Sequence, residues 1–159
     1  MAGRPKHYQE EELISRATEV FWQKGYTAAS AQDLMKAMDI GQGSFYRVFP
    51  GGKKELYQKT IKYFLENSIK TFHRKLEDSE NPIEFIKDFF YAILQRMPQK
   101  EQDGCYLGNA IVELSNLDEE TKSIAAQQLN LLKTGFEKAL SMAQNKGLLS
   151  TDNSPQLLA

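Results

Sequence analysis

SAQDLMKAMDIGQGSFYRVFPGGKKELY, Ser30 to Tyr57, reads as two short helices joined by a tight turn, a glycine-rich break, and the start of a long helix. Ser30 is a good N-cap, because its hydroxyl can accept a hydrogen bond from an amide that the first helical turn leaves unpaired. Leu34, Met35 and Met38 then give the short helix an apolar stripe. Asp39-Ile40-Gly41 predicts a three-residue connector in which the glycine takes a positive φ and Ile40 plugs the angle between two crossing helices. From Gln42 to Phe49 a second helix carries Phe45 and Phe49, four apart, as inward anchors. Its outer face is left to Gln42, Gly43, Ser44, Tyr46 and Arg47, a small, polar and cationic set. A helix that enters the major groove of DNA needs such a face. Small residues let the backbone come close to phosphate, while Arg47 and Gln42 reach base edges or phosphate. A solvated helical hairpin has the same local pattern, so the reading rests on the whole arrangement.

Gly25-Tyr26, Ser30, Gly43-Ser44-Phe45-Tyr46, Phe49 and Lys53-Lys54-Glu55-Leu56 together resemble the amino-terminal domain of the TetR family of bacterial transcriptional regulators. The resemblance covers residues 9 to about 65 and, more weakly, the rest. Two departures stand out. Pro50-Gly51-Gly52 is one residue longer than the commonest family form, which alters the place of Lys53 relative to DNA. Gly41 stands where the family often has a serine cap, which removes one phosphate contact. The resemblance implies an all-α fold with a DNA-binding head, residues 1–52, and a helical effector-binding and dimerisation body, residues 53–159. It implies a homodimer on a palindromic double-stranded operator, most often a repressor, released by a small-molecule or redox effector of unknown identity. Ser30, Gln42, Gly43, Ser44, Tyr46, Arg47 and Lys53 are the expected DNA contacts. A protein of the same fold that works through protein partners is the alternative.

Bulk properties bound this reading without producing it. With 159 residues, 41% hydrophobic and 26% charged, the chain has an ordinary globular composition. Its formal charge of -1 gives no global signal for nucleic acid. Residues 1–54 hold 8 Lys/Arg against 6 Asp/Glu and the remainder 12 against 15, an asymmetry of the right sign for a DNA-binding head on an acidic body. No run of about 18 apolar residues occurs, and the first 25 residues are too charged for a signal peptide, so a cytoplasmic protein with no membrane partner is expected. One cysteine, Cys105, excludes an intrachain disulfide and a cysteine-based zinc site, and His7 and His73 lack ligand spacing. No metal, cofactor or enzymatic chemistry is expected, since there is no nucleophile-base pairing and no phosphate loop after a strand.

Along the chain, Gly3-Arg4-Pro5-Lys6 forms a basic arm. Arg4 and Lys6 suit an AT-rich minor groove, and a disordered tail that merely adds charge fits equally well. Leu13, Ala17, Val20 and Phe21 predict a first helix over Gln9 to Lys24, closed by Gly25, with Trp22 off the stripe as a packing or domain-junction residue. Lys53 to about Leu76 predicts one long helix, a lever between body and head, whose start favours phosphate and places Lys53 there. Asn81-Pro82 opens a further helix whose apolar residues, Ile83 to Met97, predict a central place in the body. Cys105 to Leu117 predicts a short helix, and Asp118 caps another that runs to Lys146 and stops at Gly147, with Ile124, Leu131 or Leu132, Phe136, Leu140 and Ala143 inside.

The body is rich in aromatic residues, which serve either as core or as the wall of an effector pocket; Tyr63, Phe64, Phe89, Cys105 and Asn109 are the candidates. Cys105 at a helix start has two open readings, a thiolate stabilised by the helix dipole that senses oxidants or electrophiles, and an inert packed thiol. Ser154-Pro155 is a helix-start signal four residues before the sequence stops, and the resemblance implies further helices, so a longer natural protein is expected.

Overall fold

The computed structural model describes residues 9–96, 106–114 and 119–159, and every regular element in them is helical. Helix α1, Glu10–Ala28, starts with three glutamates, which favour the positive end of the helix dipole. Leu13, Ile14, Ala17, Thr18 and Phe21 form its buried face. At Gly25 the helix breaks, with φ 73 and ψ 172, a backbone region open in practice only to glycine. The predicted stop is therefore present, and a further turn, residues 26–28, resumes beyond it in a new direction.

Helix α2, Ala31–Met38, is opened by a capping box: the Ser30 hydroxyl accepts from the Asp33 amide while the Asp33 carboxylate accepts from the Ser30 amide. Helix α3, Gln42–Val48, follows after a connector that differs from expectation. The positive φ lies on Asp39 (φ 55), and Gly41 is extended (φ -81, ψ 165). Asp39 closes α2 by sending its amide to the Lys36 and Met35 carbonyls, and the Ile40 amide also reaches Met35. Aspartate tolerates the left-handed region better than most side chains, so the turn does not need its glycine for that purpose.

Helix α4, Gly52–Glu77, is the spine of the molecule. Its 26 residues span about 39 Å at 1.5 Å per residue. Near the head it packs on α1, and farther along it packs on α7, Glu119–Asn145. Helix α5, Pro82–Arg96, begins as predicted, with the Asn81 carboxamide oxygen accepting from the Ile83 and Glu84 amides. Helix α6, Tyr106–Leu114, lies against α1 and α7, and α8, Pro155–Leu158, is a single turn capped by the Ser154 hydroxyl. Gly147 follows α7 as expected, its amide bonded to the Gln144 carbonyl. Cys105 and Asp118 lie outside the described residues.

Two apolar clusters line the spine. The first joins Leu13, Ala17, Phe21, Leu34, Met38, Phe45 and Phe49 to Leu56, Tyr57, Ile61 and Leu65 of α4, then to Tyr106 and Ala110 of α6 and Ile124 of α7. One continuous core thus runs across residues 52 and 53. The second is smaller: Phe72, Leu76 and Ala139 are buried, with Phe85, Ile86, Phe89, Phe136 and Met142 partly covered around them. Helix α5 belongs to this second cluster and is peripheral, contrary to the expectation from its composition. Phe90, Tyr91 and Leu94 are 52%, 60% and 57% exposed. Apolar residues on several sides of a helix show what it can bury, not what neighbours it has. On α7, Leu132 packs on the core and Leu131 points outward.

Candidate functional site

Helix α3 presents the face that its spacing predicts. Phe45 and Phe49 are completely buried, with their rings 5.8 Å apart, so the short helix is fixed from behind. Gln42, Gly43, Tyr46 and Arg47 are exposed, and Ser44 is half-buried on the flank it shares with Val48. A Cβ added at Gly43 would meet nothing within 4 Å, so this part of the helix surface is open. Tyr46 stands edge-on to Phe45, and its ring edge lies against Gly52. The Pro50-Gly51-Gly52 connector makes that contact. Phe49 to Gly52 forms a turn closed by the Gly52 amide on the Phe49 carbonyl, and Gly52 then takes φ +64 with its Cα buried beside the Tyr46 ring.

The first turn of α4 does not present all of its amides outward. The Glu55 carboxylate accepts the Gly51 amide at 2.7 Å and pairs with Lys59 at 3.1 Å, so the chain supplies its own anion at this helix start. Lys53 is half-buried and folded back. Its ammonium lies 4.5 Å above the centre of the Tyr26 ring and donates to the Thr27 carbonyl at 3.4 Å. Burial pulls its pKa below the ordinary lysine value, and the charge of Glu113 opposes that shift. Ser30 is also engaged: its hydroxyl donates to the Asp33 carboxylate at 2.7 Å. Lys24 binds the same carboxylate at 2.8 Å. Hydrogen bonds from Lys24, then from the Ser30 hydroxyl and amide, hold the Asp33 carboxyl well below the usual range.

The residues read as pocket candidates divide. Tyr63, Phe64 and Phe89 come together around a cavity of about 560 Å³ between α4 and α5, with Asn67, Thr71, Lys75 and Asp88 as polar groups on its wall. Asn109, exposed on α6, is not among the residues that line it. Cys105 and the arm residues Arg4 and Lys6 lie outside the described residues. Phe64 also faces a second ring group, since Trp22 packs edge-on against it at 5.2 Å and Tyr106 at 5.0 Å. Trp22 is thus packed where α1, α4 and α6 meet.

Residues 13–60 match the family described as bacterial regulatory proteins, tetR family. That stretch is a TetR-type amino-terminal domain. The chain is 29% identical over 150 residues to the transcriptional repressor DhaR of Mycobacterium sp. strain GP1, covering 94% of this chain and 74% of DhaR. Among solved structures, the reduced form of NemR from E. coli shares the fold with a TM-score of 0.84 at 20% identity, over 94% of this chain and 78% of NemR. A cysteine mutant of CifR, complexed with 26-base-pair operator DNA, shares it with a TM-score of 0.76 at 21% identity, over 98% and 81%. Among the described residues, no helix is long and apolar enough to cross a membrane.

Glu113 escaped the sequence reading. It accepts the Tyr26 amide at 2.7 Å from a position 87 residues away and lies 3.5 Å from the Tyr57 hydroxyl. A signal was present: it is the one acidic residue in the apolar run of α6, where an unpaired charge would be costly. The Asp33 capping box was likewise available from its spacing to Ser30.

Proposed function

We propose that this chain is a DNA-binding repressor that acts as a homodimer on a palindromic operator and is released by an effector bound in its body. The observation that carries the reading is α3 itself: an exposed Gln42, Gly43, Tyr46 and Arg47 face, mounted on two completely buried phenylalanines. A rigid short helix with a small, cationic outer side fits a major groove. Two heads one helical turn of DNA apart would read successive grooves with Gln42, Ser44, Tyr46 and Arg47. Gly43 would allow close approach to the backbone. Ser30, after leaving Asp33, and Lys53, from its place over the Tyr26 ring, would add phosphate affinity. Arg4 and Lys6 would extend the contact into a minor groove.

In this reading residues 1–52 bind DNA, and residues 53–159 bind the effector and the second copy. The cavity beside Tyr63, Phe64 and Phe89 is the effector site, apolar with a few polar groups on its wall. An effector releases DNA only through a difference in affinity for two conformers, so the conformer it favours is one whose heads no longer match the operator. Selection of duplexes from a random pool tests this. Enrichment of a palindrome is expected, and Tyr46→Ala and Arg47→Ala should each weaken binding to it by about 10- to 100-fold with an unchanged helical spectrum. Unchanged affinity in both variants would remove α3 from the interface. No enrichment by the folded chain would favour action through a protein partner.

A further inference from the structure

The contact between α6 and the head has a built form. Gly25 holds a backbone conformation reserved for glycine, and a Cβ there would collide with the Glu113 carboxylate. That bare position lets Glu113 reach the amide of Tyr26. The Tyr26 ring in turn leans on Tyr57, with centroids 4.8 Å apart, and carries the Lys53 ammonium over its face, 4.5 Å from the ring centre. Thr27, next in sequence, takes one of the three ammonium donors. Lys53 directly follows Gly52, against which Tyr46 of α3 rests.

We propose that Glu113 is a positioning residue for DNA binding: by holding the Tyr26 amide it fixes the platform from which the Lys53 ammonium meets a backbone phosphate. This rests on the regulator reading given above. It makes α6, which presents no surface to DNA in that reading, part of the binding machinery. Glu113 acts through Tyr26, so the charge of Lys53 is useful only when α6 stands where it does here. A neutral acceptor at position 113 would keep the amide bond, whereas a shorter side chain would not reach it.

The test uses the full chain and a palindromic duplex taken from the selection, titrated from low to moderate salt. Lys53→Ala should lower affinity by about tenfold and reduce the slope of log K against log salt by about one. Glu113→Ala should do nearly the same, and the two changes combined should cost little more than either alone. Glu113→Gln should restore most of the affinity and the full slope. Glu113→Asp, which keeps the charge and loses the reach, should behave as the alanine variant does and replaces it if that variant does not fold. Folded Ala or Asp variants with wild-type affinity and slope overturn the inference alone, as does a Lys53→Ala effect that adds in full. A wild-type chain that enriches no duplex overturns the regulator reading and this inference with it.

Discussion

The two ends of α4 are built differently. Near the head, Leu34, Phe45, Phe49 and Leu56 are completely inaccessible and Tyr57 nearly so, and rings from α1, α3 and α4 interlock with aliphatic side chains from five helices. At the far end, Phe72 meets Phe85, Phe89 and Phe136 at centroid distances of 4.8 to 5.4 Å, yet within that cluster the buried residues are Phe72, Leu76 and Ala139, and the other rings are partly covered. A cavity opens beside them, and Phe90 stacks on Phe136 while half exposed. One helix thus joins a filled core to an open aromatic cluster. A filled core holds one shape, because any change of volume is felt at once. An open cluster can rearrange at smaller cost, which suits a region that must respond to a bound molecule.

The comparison breaks most readily at Phe21, which is 2% exposed and packs on Tyr57. Phe21→Ala should cost about 3–5 kcal/mol, lowering Tm by about 10 °C or more in a thermal melt. Phe90→Ala at the distal end should cost less than about 1 kcal/mol. Equal losses in both would erase the distinction. Glycines sharpen it next. Gly25→Ala forces a side chain into a glycine-only region and displaces Glu113, and should cost about 1–3 kcal/mol by denaturant titration. Gly135→Ala places a Cβ 3.0 Å from the Phe72 ring, but that ring borders the cavity and can yield, so the change should stay within about 1 kcal/mol.

The smallest expected effect is electrostatic. Asp33 titrates below its unfolded value, so its contribution is fully present above the ordinary aspartate pKa of about 3.9 and is lost as the pH falls below it. The Tm gap between wild type and Asp33→Asn should therefore be present at neutral pH and close under strong acid. Glu77, at the distal end, is shifted in the same direction by Lys138 and should show the same sign with a smaller gap in Glu77→Gln. Both groups are surface charges, so added salt should shrink both gaps.

Legibility in the sequence follows the same division. The head was readable because its signals are local: a cap at Ser30, anchors four apart at Phe45 and Phe49, and punctuation at Gly25. Even there, the positive φ went to Asp39 rather than Gly41, since helix closure by the amides of Asp39 and Ile40 decided the turn. Long-range contacts left no such trace. Nothing near Lys53 in sequence shows that its ammonium folds back over Tyr26, and nothing near Tyr26 points to Glu113. The peripheral place of α5 was also hidden, because its apolar residues suit a central helix and an edge helix alike. Aromatic density points to Tyr63, Phe64 and Phe89, which do line a cavity, whereas Asn109, singled out with the stretch that begins at Gly104, fits helix packing as well as a pocket and does not line it.

Trp22 gives the molecule a built-in optical probe. It is the only tryptophan in the chain, half-buried where rings from three helices meet, with Phe64 at 5.2 Å and Tyr106 at 5.7 Å. Phe64 forms part of the cavity wall, and Tyr106 begins the helix that carries Glu113. The emission colour and quenching of a single unlabelled fluorophore therefore report on that crossroads. A compound entering the cavity beside Phe64 would be visible there, in one cuvette, without any substitution in the protein.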